Sequence, residues 1–212
     1  MNMKLIFSML ILSIITSCAS NPNKVYAQVD VSDNVVLHGS EQVVKSVVAI
    51  PLPKTSSSTF SLLPKSFKIN EQDAIIDFDE FKGSYKLFEF GADRGDSFTI
   101  KLASMCDCFG FNKQILVPIA YVVNKRGVAV KTDTTNIVNR LGFISFSLKG
   151  DAPENGKYYL VVAANNGKPG SKSGVGEAKI DGYKPTGIML SNRSHPYGKI
   201  IPSYTLENAN NK

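Results

Sequence analysis

The pattern of apolar and polar positions divides the chain into a mainly apolar N-terminal stretch and a long region of short alternating segments. Residues 5–15 are apolar except for Ser8 and Ser13 and follow a single lysine at position 4. Beyond residue 60, apolar and polar residues alternate over short segments that turn-forming residues separate. Alternation with a period of two is typical of strands with one buried face, whereas amphipathic helices repeat every three to four residues. This region is therefore predicted to be all-β.

The clearest alternation lies in the first half of the alternating region. Residues 85–90 are rich in aromatic side chains, and residues 97–103 place Phe98, Ile100 and Leu102 on one face. The Gly- and Asp-rich residues between these segments predict a β-hairpin or a closely connected strand pair. Shorter strand candidates are residues 66–69, 74–78, 128–131, 141–148, 188–190 and 198–206.

Two further segments, residues 115–123 and 157–164, are apolar almost throughout, which predicts strands buried on both faces. Pro118 interrupts the first of them and indicates an edge position or a bulge. Residues 165–187 are rich in Gly, Lys and Ser and are predicted to form a long loop.

Before the alternating region, Ser40 is predicted to cap a short helix over residues 41–48 that Pro51 and Pro53 would end. Strands about 8–15 residues apart, with no amphipathic helix between them, favour an antiparallel β-sandwich. We expect jelly-roll-like winding, with the domain over residues 55–206 and a polar tail over residues 207–212.

The N-terminal residues 1–17 are typical of a lipoprotein signal peptide. The apolar stretch has the length of a signal-peptide core and falls short of the roughly 20 residues that span a bilayer. It ends in Ile15-Thr16-Ser17-Cys18, which looks like the lipobox that precedes the acylated cysteine of lipoproteins. Acyl chains such as palmitate on Cys18 would anchor the chain to a membrane. An ordinary secretory signal that ends near a cysteine is the alternative.

Residues 18–54 are then predicted to be a lipidated tether that contains the short helix. Ala19, where an aspartate would favour retention in the inner membrane, predicts the periplasmic side of the outer membrane as the location in the cell envelope.

Charge and composition exclude some partners. The chain has 24 basic and 18 acidic residues, and its net charge of +6 falls by one when Lys4 is removed with the signal peptide. The basic residues are scattered, which argues against nucleic acid as a partner. Tryptophan is absent, so that stacking on a sugar would depend on Tyr and Phe.

Cys106 and Cys108 are the cysteines that remain after acylation of Cys18. An oxidising compartment favours pairing, although a bridge across one residue closes a small and strained ring. A local disulfide, reduced thiols and a metal or redox site remain open. A zinc site would need further ligands beside the two cysteines. Because His38 and His195 are distant from Cys106 and Cys108 in sequence, we expect no metal and no cofactor.

No catalytic motif is complete in this sequence. Residues 32–34 (SDN) match one element of penicillin-recognising enzymes but lack the other two. The acidic residues Asp73, Asp77, Asp79 and Glu80 are interpreted as a solvated face, and an opposing carboxylate would be needed for hydrolysis. Residues 94–97 (RGDS) have the chemistry of a turn. The chain is therefore predicted not to be an enzyme.

An ordered series of segments resembles the maltose-operon periplasmic protein (MalM-like) family. The segments are FSLLP (60–64), YKLFEF (85–90), SFTIKL (97–102), ILVPIAYVV (115–123), KYYLVV (157–162), GVG (174–176) and SHPYGKI (194–200). The resemblance covers roughly residues 55–206 and implies a non-catalytic envelope protein that assists maltose or maltodextrin uptake. The Cys-x-Cys motif, the short polar tail and the lipobox depart from the family pattern, and the resemblance transfers no site residues.

Three functions follow as hypotheses. The first is a lipoprotein that binds an oligosaccharide or an envelope protein during carbohydrate uptake. The second is a structural or adhesion-type envelope lipoprotein, and the third is a hydrolase with a dispersed site, for which a carboxylate facing Asp77 or Asp79 in a pocket would be the sign. A bound sugar is expected to stack on Tyr or Phe rings near residues 170–183.

Overall fold

The structure is a computed structural model that describes residues 26–27, 29, 36–55, 65–106, 113–180 and 184–208. The signal peptide, Cys18, the segments at 32–34 and 60–64, Cys108 and Tyr183 lie outside these residues. Within them, no helix is long and apolar enough to cross a membrane.

The described residues form mainly short strands. In chain order the elements are β1 (Val36–His38), α1 (Ser40–Ser46), β2 (Ile50–Pro51), β3 (Phe67–Ile69), β4 (Ile75–Asp77), β5 (Lys82–Ala92), β6 (Ser97–Met105), β7 (Lys113–Leu116), β8 (Pro118–Asn124), β9 (Ala129–Val130), β10 (Asp133–Arg140), β11 (Phe143–Asp151), β12 (Gly156–Ala164), β13 (Lys172–Ile180), β14 (Lys184–His195) and β15 (Gly198–Glu207).

These strands form three sheets within the described part of the chain. The central sheet has the order β1-β4-β5-β12-β8-β9, with β2 also paired to β5. The facing sheet has the order β10-β11-β6-β15-β3, and the flanking sheet has the order β13-β14-β7. Most neighbours are antiparallel, and the parallel pairs are β1–β4, β2–β5 and β14–β7. The predicted all-β, mainly antiparallel sandwich is confirmed.

The main core lies between the central and facing sheets. Phe90 of the central sheet is at its centre, with its ring centroid 5.4 Å from that of Phe98 and 5.2 Å from that of Tyr204, both in the facing sheet. Tyr158 stacks on the same ring from the neighbouring strand at 5.7 Å. Burial of each large apolar side chain contributes about 1.5–3 kcal/mol, so this layer is the main source of stability.

A second apolar cluster covers the outer face of the central sheet. Val43 of α1 is fully buried there, together with Leu87 of β5 and Val161 of β12. Because Leu160 and Val162 face the main core, β12 is buried on both faces. The prediction for residues 157–164 is therefore confirmed.

The predicted hairpin between residues 85–90 and 97–103 is wrong. Strand β5 lies in the central sheet and β6 in the facing sheet, so the two strands are connected but do not pair. The N–H of Asp93 donates to the Asp96 carboxylate at 3.0 Å, and the Asp96 N–H donates to the Asp93 carbonyl at 3.0 Å. This compact turn carries the chain from one sheet to the other.

The apolar run at residues 115–123 is two strands in different sheets. It is divided at Val117: β7 joins the flanking sheet, and Pro118 begins β8 opposite Ala164 in the central sheet. Proline therefore marks a change of sheet rather than a bulge. Ser104, which is fully buried, donates its hydroxyl to the Leu116 carbonyl at 2.7 Å and joins β7 to the facing sheet.

The predicted helix is present but begins one residue earlier than expected. Gly39, with a positive φ of 84°, occupies the N-cap, and Ser40 is already helical. No side-chain hydrogen bond caps this end. The helix ends at Ser46, and Val47 is already extended, which leaves Pro51 free to pair within β2.

The prediction of a long loop over residues 165–187 is also wrong. Strands β13 and β14 pair antiparallel across most of this region, with shifts in register at two points. Strand β10, over residues Asp133–Arg140, was not predicted either. Both segments are rich in polar residues, so apolar alternation does not reveal them.

The part of the chain predicted as a tether includes packed residues. Tyr26 and Val29 are buried, β1 and β2 belong to the central sheet, and α1 covers its outer face.

Candidate functional site

A polar groove lies where β14 turns into β15, beside the ends of β3 and β6. Its volume is about 260 Å³. Its lining residues come from separate parts of the chain and are Lys68, Asn70, Glu71, Met105, Gln114, His195, Tyr197 and Gly198. We call this feature the His195 groove.

Strand pairing brings these lining residues together. Lys199 in β15 faces Lys68 on one side and Met105 on the other, so β3 and β6 meet at the same end of the sheet. On the flanking sheet, Arg193 faces Gln114 across the parallel pair of β14 and β7. The groove is thus a product of the tertiary fold and has no counterpart in one contiguous motif.

His195 and Tyr197 fix the turn at one side of the groove. Their rings meet edge to face with centroids 5.9 Å apart. The Nδ1 atom of His195 lies 3.0 Å from the Tyr197 carbonyl and 3.3 Å from the Tyr197 N–H. Burial lowers the pKa of His195, and the hydrogen bond to Tyr197 opposes this shift in part. With its proton on Nδ1, the neutral ring donates to that carbonyl and keeps Nε2 as an acceptor.

The charge state of Tyr197 is also set by its surroundings. Burial raises the pKa of Tyr197, and the nearby Glu71 carboxylate raises it further. The phenol is therefore neutral at ordinary pH and is able both to donate and to accept a hydrogen bond. Together with the Lys68 amine and the Gln114 amide, it presents varied polar groups beside an aromatic ring.

The floor of the groove depends on glycine at position 198. A Cβ atom there would lie 2.8 Å from the Leu116 Cβ and 3.2 Å from the Leu116 backbone nitrogen. Any side chain at this position would therefore push β15 away from β7 and change the shape of the groove.

The adjoining turn is held by short-range hydrogen bonds. The Asn70 N–H donates to the Asp73 carboxylate at 2.9 Å, and the Asn70 side-chain oxygen accepts the Gln72 N–H at 2.9 Å. Asp73 also forms an ion pair of 2.7 Å with Lys86, and both side chains are largely buried. Asn70 and Glu71 are therefore presented by a rigid turn.

A second depression, of about 440 Å³, lies beside β10 and β11. Its charged lining residues include Lys131, Asp133, Lys149 and Asp151. Lys149 faces Asp133 across the strand pair, and Asp151 accepts a hydrogen bond of 2.7 Å from the Ser97 hydroxyl. No aromatic side chain lines this depression, so we regard it as the weaker candidate for a ligand.

The predicted acidic cluster does not form a site. Asp77 ends β4 and accepts the Asp79 N–H on its carboxylate at 2.9 Å, and Asp79 has a positive φ of 67°. The Asp77 carboxylate therefore shapes a turn, and Asp79 lies beyond the end of the strand instead of on one face with Asp77. Neither residue lines the His195 groove or the depression beside β10.

Cys106 immediately follows the groove residue Met105. It is half-buried, and its N–H donates to the Gly142 carbonyl at 3.0 Å. Cys108 lies outside the described residues, so a disulfide between Cys106 and Cys108 stays a prediction. Among the described residues, no group of three His, Cys, Asp or Glu side chains is arranged to hold a metal.

The segments at 94–97 and 170–183, which the sequence also singles out, contribute no described residue to the lining of the His195 groove. In the segment at 94–97, Asp96 is buried and its carboxylate is used within the turn, which agrees with a structural role. The sugar site predicted near residues 170–183 falls mostly on side chains outside the described set. Sequence reasoning did not identify Lys68, Gln114 or Tyr197, although Tyr197 belongs to the 194–200 segment of the family resemblance.

The fold is a β-sandwich, and the groove is a polar surface depression edged by His195 and Tyr197. No protein-family model, curated protein or solved structure matches the chain.

Proposed function

We propose that this chain is a non-catalytic lipoprotein of the cell envelope that binds an oligosaccharide in the His195 groove and assists maltose or maltodextrin uptake. The observation that carries the proposal is the composition of the groove. The Tyr197 ring lies beside amine, amide, carboxylate and imidazole groups, and each of these can bind sugar hydroxyls.

The size and shape of the groove support a short stretch of sugar. Its volume of about 260 Å³ is just below the roughly 300–1,000 Å³ of typical small-molecule sites. Such an open surface suits a polar ligand that remains partly exposed to solvent. It is less suited to an apolar ligand that must be fully enclosed.

The groove favours binding over hydrolysis. Glycoside hydrolysis commonly uses two carboxyl groups on opposite sides of the scissile bond. Glu71 is the only carboxylate among the described residues that line the groove. The hydrolase hypothesis therefore lacks the arrangement that would support it.

The location proposed for the protein rests on its sequence. Acylation of Cys18, with palmitate among the chains, would hold the domain on the periplasmic side of the outer membrane. The mass of the intact protein extracted from membranes tests this part of the proposal. A mature chain that begins at Cys18 and carries acyl chains is expected, and an unmodified N-terminus would contradict it.

Thermal melting tests sugar binding. The mature chain with Cys18→Ser is heated with and without maltodextrin and with an unrelated glycan. A ligand at a hundred times its Kd stabilises the native state by about 2.7 kcal/mol. For a domain of this size, that corresponds to a rise in Tm of about 5–10 °C.

Two tyrosine variants locate the response. Tyr197→Ala removes the ring from the groove, and Tyr159→Ala removes a half-buried ring from the central sheet, where it packs on the outer cluster. We expect only Tyr197→Ala to abolish the response to maltodextrin. If no glycan changes the Tm of the unmodified domain, the oligosaccharide proposal fails and a structural or adhesion-type lipoprotein with a protein partner is favoured.

A further inference from the structure

The N-terminal end of the described chain is fixed to the flanking sheet. Tyr26 is 6% exposed and Val29 is 2% exposed. The Tyr26 hydroxyl donates to Ser194 Oγ at 3.1 Å, and the Ser194 hydroxyl donates to the Lys168 carbonyl at 2.9 Å. Ser171 contacts the same Ser194 oxygen at 3.3 Å. The chain therefore enters the domain beside β14 at a defined point.

Three exposed basic residues surround this point. Lys172 and Arg193 are direct neighbours in sequence of Ser171 and Ser194, and Lys168 precedes them in the adjoining turn. Lys172 and Arg193 also face each other directly across β13 and β14. We call Lys168, Lys172 and Arg193 the basic patch.

The pairing of Lys172 with Arg193 carries a cost, because like charges opposite each other destabilise a strand pair. None of the four ion pairs that the described residues form involves Lys168, Lys172 or Arg193. An external anion would relieve this repulsion, so the charge pattern favours an anionic surface as partner.

The length of chain before Tyr26 indicates which surface that is. Tyr26 is eight positions after Cys18, and an extended chain spans at most about 3.3–3.6 Å per residue. An acyl anchor on Cys18 would therefore keep the entry point within roughly 30 Å of the bilayer. This step rests on the acylation in the proposed function.

From these observations we infer that the basic patch docks on anionic phospholipid head groups of the membrane that holds the anchor. Each basic residue near an anionic surface strengthens binding by about fivefold. The effect requires near contact, since the Debye length is about 8 Å at physiological ionic strength. The anchor supplies a high local concentration, so that three charges suffice to set the orientation of the domain.

Docking of the patch has a consequence for the groove. Arg193 is the register partner of Gln114, and His195 follows two residues later. The docked orientation therefore holds the His195 groove close to the bilayer surface rather than facing away from it.

Lysine footprinting on vesicles tests this orientation. The mature chain, with six histidines in place of Cys18, is tethered to nickel-chelating vesicles and treated with an amine-acetylating reagent. The vesicles are either neutral or contain about a third phosphatidylglycerol. This tether makes the outcome independent of natural acylation, which the intact mass tests separately.

We expect Lys168 and Lys172 to react several-fold more slowly on anionic than on neutral vesicles, and high salt should remove the protection. The exposed lysines Lys101 and Lys149 of the facing sheet are internal controls whose rates should not change. Equal rates for Lys168 and Lys172 on both vesicles would overturn the inference. Protection of all four lysines alike would show non-specific adsorption and would overturn it as well.

A pair of charge reversals sharpens the test. Arg193→Glu replaces one positive charge of the patch by a negative one and leaves Lys168 and Lys172 available as reporters. Lys149→Glu makes the same change in charge on the facing sheet, away from the patch. Protection of the two reporters should be lost with Arg193→Glu and persist with Lys149→Glu. Equal losses in both variants would mean that net charge, and not this patch, controls the contact.

Discussion

The centre of the central sheet and the flanking sheet are stabilised in different ways. Strand β12 places apolar side chains on both faces, with Leu160 in the main core and Val161 in the outer cluster. Strand β14 instead depends on a buried amide and hydroxyls. Asn192 is fully buried, its oxygen accepts the Gly142 N–H at 2.6 Å, and its nitrogen donates to the Arg140 carbonyl at 2.7 Å.

This difference explains where sequence patterns are informative and where the groove is built. An apolar core tolerates exchanges among apolar side chains of similar volume, and the alternation of its residues is visible in the sequence. A buried polar network is specific, because every partner must be present with good geometry. The His195 groove lies on the polar side of this comparison, where β14 meets the facing sheet.

The largest effect is expected in the apolar region. Leu160→Ala removes a fully buried side chain of β12 and should lower the free energy of unfolding by about 3–5 kcal/mol, because it leaves a cavity in the core. Urea unfolding followed by circular dichroism measures the change. Lys157→Ala on the same strand is the control: its side chain is exposed, and the midpoint should change little.

The second-largest loss of stability is expected when the hydrogen bonds of the buried Asn192 side chain are removed. Asn192→Ala leaves the Gly142 N–H and the Arg140 carbonyl without their partner. We expect a loss of about 2–3 kcal/mol in the free energy of unfolding, because unsatisfied buried groups keep their desolvation penalty. Amide hydrogen exchange should show faster opening of β14 than of β12. Uniform acceleration in both strands would mean that the two regions unfold as one unit.

Two tyrosine hydroxyls offer a smaller and more selective comparison. Tyr26→Phe removes a hydroxyl that bonds to Ser194 and should cost about 0.5–1.5 kcal/mol. Tyr85→Phe removes a buried hydroxyl that has no hydrogen-bond partner among the described residues, so the variant should be neutral or slightly more stable. Urea midpoints at constant pH distinguish the two. Equal destabilisation would contradict the roles given to these groups.

The smallest effect concerns the pH dependence of stability at the groove. Burial holds the pKa of His195 below its usual value, so that the unfolded chain takes up a proton at a higher pH than the native chain does. The contribution of neutral His195 to the free energy of unfolding is therefore complete above about pH 6.5. It declines as the pH falls from the pKa of His195 in the unfolded chain to its pKa in the native chain.

His195→Gln should remove this part of the acid-side slope, measured as the urea midpoint between pH 7.5 and 5. Lys68 and Glu71 also line the groove and are retained in the variant. An unchanged slope would show that His195 protonates equally well in both states.

The strands that apolar patterns predict are those that face the two clusters. Residues 97–103 alternate in the sequence, and Phe98, Ile100 and Leu102 are buried in the structure as expected. The pattern could not show that β5 and β6 belong to opposite sheets, because burial of one face is the same in both arrangements. It also failed at Val117, where an apolar run passes from one sheet to another without a polar residue.

Apolar alternation does not predict the polar strands or the groove, and the reason is different. The flanking sheet is stabilised by partners distant in sequence, such as Asn192 with Arg140 and Tyr26 with Ser194. Lys68 and Gln114 meet in the groove only because β3 and β7 are brought to one end of the sandwich. Local residue types carry no sign of either arrangement.

A titration of the ¹⁵N-labelled mature chain, carrying Cys18→Ser, with maltodextrin tests the central proposal most directly. The backbone amide signals of Met105, Gln114, Tyr197 and Gly198 should shift together and saturate, while those of Lys131, Asp133 and Lys149 remain in place. Spectra that stay unchanged at millimolar sugar, or shifts confined to the depression beside β10, would contradict sugar binding in the His195 groove.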